Sequence, residues 1–165
     1  MPSKALDNLK KIVIATGVGK MAQNAQFEAN ALPEIQKDLA AITGQKPQSR
    51  PAKKSIAGFK LREGTLVGLR VTLRGKRMED FLNRMVNVAL PRVRDFRGIN
   101  PRQIDQEGNL TIGFRDHTVF PEIVPEDSKV DFGFQVTLVS KTSDPAEARK
   151  VFEELGVPFY KEENK

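Results

Sequence analysis

Two hydrophobic periodicities that alternate along the chain constrain its fold more than any other feature of these 165 residues. In four stretches apolar and polar residues alternate, which predicts β-strands with one buried face. In three others apolar residues recur every three to four positions, which predicts amphipathic helices. The order β-α-(β)-β-α-β-β-α predicts an α+β domain: a mostly antiparallel sheet with helices packed on one face and a polar, basic open face.

Local signals set the limits of these elements. The four strands are predicted at residues 11–19, 66–74, 109–115 and 130–140. The three helices are predicted at residues 30–43, 76–90 and 145–155. Asn30 is expected to cap the first helix, Pro91 to close the second, and Asp144 or Ser143 to cap the third. A stretch near residues 46–50 can pair as an additional edge strand.

Composition bounds the domain organisation and excludes several kinds of site. One domain is predicted over residues 1–165, with a long basic loop at about 48–64 and a frayed tail at about 161–165. The sequence has no cysteine, which excludes disulfides, thiolate catalysis and cysteine zinc sites. No apolar run approaches the roughly 20 residues of a membrane span, so we expect a cytoplasmic protein without a membrane partner.

Positive charge is concentrated between Lys46 and Arg102. These 57 residues contain fifteen lysines and arginines against four acids, a net charge of +11, whereas the rest of the chain has a net charge of −5. A basic field confined to one region favours a polyanionic partner. The abundance of arginine, whose planar group binds phosphate through two parallel hydrogen bonds, favours a nucleic acid.

The predicted open face of the sheet indicates which nucleic acid. Its residues, taken from the polar side of each strand, are Lys11, Ala15, Gly17, Arg70, Thr72, Arg74, Asn109, Thr111, Gly113, Arg115, Gln135 and Thr137. A small, polar face without aromatic rings favours folded RNA, which is bound through phosphates, 2′-hydroxyls and shape, over stacked single strands. Phe59 and Phe96, each inside a basic loop, either stack on a base or pin the loop.

Other chemistries have weaker support. The segment Gly17 to Ala22 matches the dinucleotide pattern G-x-G-x-x-A, but no helix begins there and no parallel strand with an acidic end follows. His117 is the only histidine and is interpreted as a loop or surface residue. We therefore predict no catalytic residue, no metal site and no cofactor. The alternatives are a free-standing RNA-binding or regulatory module and a nucleotide-binding enzyme that uses the Gly17 to Ala22 turn.

Six longer motifs are more specific than these short patterns. They are TGQKP (43–47), KKSIAGFKLREG (53–64), GLRVTLRGKRM (68–78), ALPRVRDFRGINP (89–101), FPEI (120–123) and GVPF (156–159). In order and spacing they resemble the bacterial-type large-subunit ribosomal protein five family, over about residues 9–161. The resemblance implies a structural, non-enzymatic protein that binds 5S rRNA in the central protuberance and contacts P-site tRNA through its basic loop.

The resemblance also implies further partners: other large-subunit rRNA, neighbouring ribosomal proteins, and the small-subunit head across an intersubunit bridge. Matching motifs assign 5S rRNA contacts to Gln45, Arg70, Thr72 and Arg74. The basic open face and loops add the rRNA candidates Lys11, Gly17, Lys46, Arg94, Arg97 and Gln135, the two arginines belonging to a loop that contacts either rRNA or the bridge. Contacts with tRNA are assigned to Lys53, Lys54, Ser55, Phe59, Lys60 and Arg62.

Three departures from the family pattern concern the RNA contact. The family usually opens with a helix before the first strand, whereas this sequence begins almost at that strand. Ala15 stands where the family usually has an asparagine, and Gln135 where it usually has an aspartate. Both positions lie on the predicted open face, so we expect an RNA contact that differs in detail from the family's.

Overall fold

The computed structural model describes residues 3–161, in which one antiparallel sheet carries a layer of helices on one face. The strands are β1 (Leu9–Gly17), β2 (Gln48–Pro51), β3 (Leu66–Leu73), β4 (Leu110–Phe114) and β5 (Phe134–Ser140). Their order across the sheet is β2-β3-β1-β5-β4, and every pairing is antiparallel. The α+β prediction is confirmed. Apart from Lys161, the predicted frayed tail lies outside the described residues.

The strands follow the predicted alternation of burial. In β1, Ile12 and Ile14 are fully buried, whereas Val13 and Ala15, which alternate with them, are half-exposed on the other face. The stretch near residues 46–50 does pair: β2 lies at the edge of the sheet, with Gln48 opposite Arg70. Residues 130–133, predicted as part of the last strand, precede β5.

The helices are α1 (Ser3–Leu6), α2 (Leu32–Thr43), α3 (Gly75–Arg84), α4 (Leu90–Arg92) and α5 (Pro145–Glu154). The sequence predicts no helix before the first strand, and α1 is a single turn there. A π-helical turn, Phe27–Ala31, precedes α2, and another, Met85–Ala89, joins α3 to α4. The first long helix therefore begins at Phe27 and not at Asn30. The second begins at Gly75 and continues to Arg92.

Two predicted helix limits are wrong, and one is right. Asn30 is not a cap but lies inside the first π-helical turn, which extends the helix back to the buried Phe27. Burial of an aromatic ring contributes more than a cap hydrogen bond, so Phe27 sets the start. Pro91 does not close the second helix at its own position, because the helix continues through it from the π-helical turn Met85–Ala89 and ends one residue later, at Arg92. Asp144 caps α5 as predicted, its Oδ1 accepting from the Ala146 amide.

His117 lies in the short 3₁₀ turn His117–Val119, consistent with a loop position, but it is not on the surface, where the sequence interpretation also allowed it. Its side chain is fully buried, and its ring stacks on Phe132 with the ring centres 4.1 Å apart. Nε2 lies 3.1 Å from Asp38 Oδ2 and 2.8 Å from Ser128 Oγ. Since the carboxylate and the hydroxyl meet the same ring nitrogen, the three groups do not form a nucleophile relay, in which serine and acid contact opposite nitrogens. The cluster ties α2 to the segment that enters β5.

Candidate nucleic-acid interface

The open face of the sheet is built from the half-exposed and exposed positions of all five strands. One row across the sheet consists of Gln48, Arg70, Ala15, Gln135 and Gly113. The next row consists of Thr72, Val13, Thr137 and Thr111. None of the outward positions of these described strands is an acid. The face is therefore neutral or positive throughout, as the sequence predicts.

Glycines form the floor of a shallow depression on this face. Gly68 lies opposite Gly17 on one side and Arg50 on the other, and Gly133 lines the same cavity of about 590 Å³. A Cβ on Gly133 would lie 2.9 Å from the Phe114 carbonyl oxygen, so this position requires glycine. Thr16 fixes the segment by donating to the Gly133 carbonyl oxygen at 2.7 Å. Without side chains, this floor lets a ligand backbone approach the sheet closely.

Arg50 and Arg70 line this depression beside the glycines. Arg70 is half-buried, and its Nε is buried without a hydrogen-bond partner among residues 3–161. Neither guanidinium pairs with a carboxylate in the described part of the chain. A buried donor without a partner is costly, so an acceptor that fills the depression would stabilise Arg70.

Gln45 joins the sheet to the start of α3. Its Nε2 donates to the Thr72 carbonyl oxygen at 3.2 Å, and its Oε1 accepts from Arg77 Nη1 at 3.1 Å. Both ends of the amide are therefore occupied within the protein. Gln45 positions Arg77 beside the exposed Arg74 and Lys46, rather than presenting a free amide of its own.

The predicted tRNA loop forms a hairpin, which we call the basic arm and define as residues 52–65. At its base the Ala52 amide donates to the Thr65 carbonyl oxygen at 2.7 Å. Nearer its tip, Ile56 and Leu61 form an antiparallel bridge, and Ser55 Oγ accepts from the Glu63 amide at 2.8 Å. Backbone hydrogen bonds, together with Ser55, thus shape the arm.

The charged side chains of the basic arm point to solvent. Lys53, Lys54, Lys60 and Arg62 are all exposed, and none pairs with an acid among the described residues. Phe59 lies in a 3₁₀ turn, Ala57–Phe59, at the tip. Of the six residues assigned to tRNA, four therefore present free charge, and Ser55 supports the shape of the arm.

Arg94 and Arg97 lie in a second loop, which we call the arginine loop and define as residues 92–98. Both side chains are exposed. Arg94 lines a cavity of about 730 Å³ together with Gly113 and Arg115, at the end of the edge strand β4. The arginine loop therefore lies beside one edge of the sheet, whereas the basic arm leaves the opposite edge at β2.

The structure divides the predicted rRNA residues into three groups. Lys11, Gly17, Arg70, Thr72 and Gln135 share the open face; Gln45, Lys46 and Arg74 lie near the start of α3; Arg94 and Arg97 lie in the arginine loop. Sequence reasoning placed Arg115 on the open face without selecting it as an rRNA contact, and it selected neither Arg50 nor Arg77. For Arg50 and Arg77 the only signal in the sequence is the high local density of arginine. Strand pairing brings Arg50 to the interface, and the side-chain contact with Gln45 brings Arg77 there.

The Gly17 to Ala22 turn lacks the structure of a dinucleotide site. The Val18 amide donates to the Val67 carbonyl oxygen, and the turn leads into a 3₁₀ helix, Met21–Gln23, of three residues. A dinucleotide fold needs parallel strands and a long helix that begins at the glycines. The described sheet has only antiparallel pairs. Among residues 3–161, no helix is long and apolar enough to cross a bilayer.

Comparison with known proteins identifies the family. Two family models match the chain: ribosomal protein L5 over residues 8–62, and the C-terminus of the same ribosomal protein family over residues 66–159. The large ribosomal subunit protein uL5 of Rubrobacter xylanophilus is 50% identical over 151 residues, which are 92% of this chain and 82% of the relative. The uL5 protein of Dehalococcoides mccartyi is 47% identical over 154 residues, 93% of this chain and 84% of the relative.

A third relative, uL5 of Pseudothermotoga lettingae, is 48% identical over 92% of this chain and 80% of its own length. These matches confirm the resemblance drawn from the six sequence motifs and the prediction of a non-enzymatic, ribosome-associated protein. The chain therefore belongs to the ribosomal protein L5 family, whose members are structural constituents of the large ribosomal subunit.

Proposed function

We propose that this ribosomal protein binds 5S rRNA in the central protuberance through the open face of its sheet. The observation that carries the proposal is the glycine-floored depression lined by Arg50 and Arg70, on a face without acids. Neither arginine has a carboxylate partner in residues 3–161, and Arg70 retains a buried, unsatisfied donor. Phosphate oxygens are the acceptors that guanidinium groups bind best.

The chemistry of the face favours folded RNA. Thr72 offers a hydroxyl and Gln135 an amide, and the Thr111 and Thr137 hydroxyls, which hydrogen-bond each other at 3.2 Å, retain acceptor capacity; such groups bind the 2′-hydroxyl and phosphate groups of RNA. The outward positions of the described strands include no aromatic ring on which unpaired bases could stack. A flat polar face with glycines at its centre therefore fits the backbone and shallow groove of an RNA helix.

Footprinting tests this proposal. The protein should protect a continuous segment of 5S rRNA from hydroxyl-radical cleavage, and Arg70→Gln should weaken that protection while circular dichroism shows an intact fold. Arg149→Gln, in α5 on the opposite layer, serves as a matched control and should leave the protection unchanged. An unaltered footprint with Arg70→Gln would place the interface elsewhere, and no footprint with the wild-type protein would refute 5S binding.

The basic arm supports a second contact, with P-site tRNA. Its lysines are exposed and form no ion pair with an acid among the described residues. The arm leaves the sheet at β2, the edge opposite β4. Lys53→Gln with Lys54→Gln should speed dissociation of tRNA from the P site of ribosomes that carry the variant, without lowering affinity for 5S rRNA. An equal loss of both would contradict the division between face and arm.

Two further partners remain within this proposal. The arginine loop and the residues that follow it to Arg102 are assigned either to other large-subunit rRNA or to the intersubunit bridge with the small-subunit head. Chemical crosslinking from Arg97→Cys in assembled subunits and in whole ribosomes separates the two, because the chain has no other cysteine. Crosslinks formed only in whole ribosomes indicate the bridge, and crosslinks to rRNA in isolated large subunits indicate the other contact.

A further inference from the structure

A cleft beside the arginine loop combines positive charge with an aromatic ring, unlike the open face. It has a volume of about 700 Å³ and lies between the arginine loop and the C-terminal segment, which we define as residues 158–161. Arg94, Arg97 and Lys161 contribute cations to its lining, and Phe96 and Tyr160 contribute rings. The volume is within the range of small-ligand sites, roughly 300–1,000 Å³.

Backbone contacts fix the two walls of this cleft relative to each other. The Ile99 amide donates to the Pro158 carbonyl oxygen at 2.7 Å, and the Tyr160 amide donates to the Ile99 carbonyl oxygen at 3.2 Å. At Gly98, a Cβ would lie only 2.5 Å from the Tyr160 nitrogen. The two segments therefore lie backbone against backbone, so the site needs little ordering when a ligand binds.

The charge of the cleft favours an anion. Arg94, Arg97 and Lys161 are exposed, and none pairs with an acid in the part of the chain that the structure describes. Among residues 3–161, Asp95 is the one acid that lines the cleft, against three cations. The cleft thus has an excess of free positive charge suited to phosphate.

The aromatic rings of Phe96 and Tyr160 indicate which kind of anion fits the cleft. Tyr160 is one of three large hydrophobic or aromatic side chains with substantial exposure among the described residues, at 36%. A phosphate alone gains nothing from an aromatic wall, and the bases of an intact helix are stacked inside it. An unpaired nucleotide offers both a phosphate and a base face, and stacking of one base on an aromatic ring contributes about 1–3 kcal/mol.

We propose that this cleft binds a single unpaired nucleotide of an RNA strand, with its phosphate on Arg94, Arg97 and Lys161 and its base against Tyr160. The proposal rests on the RNA-binding function proposed above, but not on the identity of the RNA as 5S. It assigns to the C-terminal segment a direct part in recognition, and it separates a nucleotide cleft from the flat open face.

Tyrosine fluorescence tests where a nucleotide binds, because Tyr160 is the only tyrosine and the sequence has no tryptophan. Pentauridylate should quench the emission in a saturable way. An abasic pentamer of the same length and charge should bind at least about fivefold more weakly, since it cannot stack. No quenching at saturation, or equal affinity for the two pentamers, would overturn the proposal.

Matched variants test which residues bind the probe. In anisotropy with fluorescein-labelled pentauridylate, Arg97→Gln with Lys161→Gln and, separately, Tyr160→Leu should each lower affinity at least about fivefold. Tyr160→Phe keeps the ring and should retain affinity. Lys37→Gln with Lys150→Gln removes the same charge from exposed positions of α2 and α5, outside the proposed RNA contacts, and should change affinity less than about twofold. A loss with this control variant that equals or exceeds the loss with the cleft variant would show general charge attraction and overturn the proposal.

Parallel measurement of 5S rRNA binding separates this proposal from the function on which it rests. If the wild-type protein binds 5S rRNA and pentauridylate does not quench Tyr160, the nucleotide cleft alone is wrong. If pentauridylate binds as predicted and 5S rRNA does not bind, the cleft stands and the proposed partner is wrong. Circular dichroism of each variant confirms that the fold is retained.

Discussion

The basic arm and the arginine loop both present arginine and lysine, yet they are built in different ways. The basic arm is closed by hydrogen bonds among its own residues, such as those between Ala52 and Thr65. The arginine loop is followed by Ile99, which is buried and which pairs with the C-terminal segment at Pro158 and Tyr160. Similar charge is thus displayed on a hairpin that projects from one edge of the sheet and on a loop fixed against the body.

One basic region can therefore serve two kinds of contact. Exposed lysines on a projecting hairpin attract phosphate over a range of about 10 Å at moderate salt, with little geometric demand. Arginines on a loop held by backbone contacts keep fixed positions beside a cleft and can select shape. We therefore expect mutations in the arginine loop to affect stability and geometry, and mutations in the basic arm to affect mainly charge.

The largest effect is predicted for a glycine-to-alanine exchange in each loop. Gly98 has φ +114° and no space for a Cβ, whereas Gly58, in the basic arm, has nothing within 4 Å of its Cβ position. Gly98→Ala should lower Tm by about 5 °C, since a strained backbone costs about 1–3 kcal/mol and each kcal/mol lowers Tm by about 2–4 °C in a chain of this size. Gly58→Ala should change Tm by less than about 1 °C in calorimetry. Equal shifts would contradict the comparison.

A smaller and more local effect is predicted inside the basic arm. Ser55→Ala removes the acceptor of the Glu63 amide, a single exposed hydrogen bond of about 1 kcal/mol. Hydrogen exchange at Glu63 should become about fivefold faster, while Tm stays nearly constant. Ser49→Ala, at an exposed position of β2, is the control and should leave Glu63 unaffected. A large decrease in the Tm of the Ser55→Ala variant would show that the basic arm is coupled energetically to the core.

The smallest effect concerns Asp116, which lies at the wall of the cavity beside the arginine loop. Its Oδ1 accepts from the Thr118 amide at 2.9 Å, and this hydrogen bond lowers the pKa of Asp116 below its usual 3.8. A carboxyl with a lowered folded-state pKa stabilises the protein above pH 3.8, and this contribution is lost as pH falls through the folded pKa. Asp116→Ala should therefore reduce stability more at pH 6 than at a pH below that pKa. A constant difference across this range would contradict the assignment.

Sequence periodicity was sufficient for the strands and for the open face. Alternation in β1 and β3 placed Ala15 and Arg70 on the same side, and the register pairs them directly. This works because a half-buried strand has a period of two that no other structure shares. The helix ends were less predictable: the start of the first long helix depends on the burial of Phe27, which a local cap signal at Asn30 cannot reveal.

Contacts between distant residues were beyond the sequence patterns. His117 resembles a surface residue because its partner, Asp38, lies 79 positions away, and neither side chain signals the other. Gln45 was selected as an RNA contact, but its amide is held by Thr72 and Arg77. Arg50 reaches the interface only because β2 pairs with β3. In each case tertiary packing decides the role, whereas periodicity records only burial.

The salt dependence of 5S rRNA binding decides whether the open face or the basic arm binds this RNA. The logarithm of affinity should fall linearly with the logarithm of salt concentration, at about 0.7–0.9 per neutralised phosphate. Arg50→Gln with Arg70→Gln should reduce that slope by about 1.5, and Lys53→Gln with Lys54→Gln should leave it unchanged. A slope reduced by the arm variant and unaffected by the face variant would show that the basic arm, and not the open face, binds 5S rRNA.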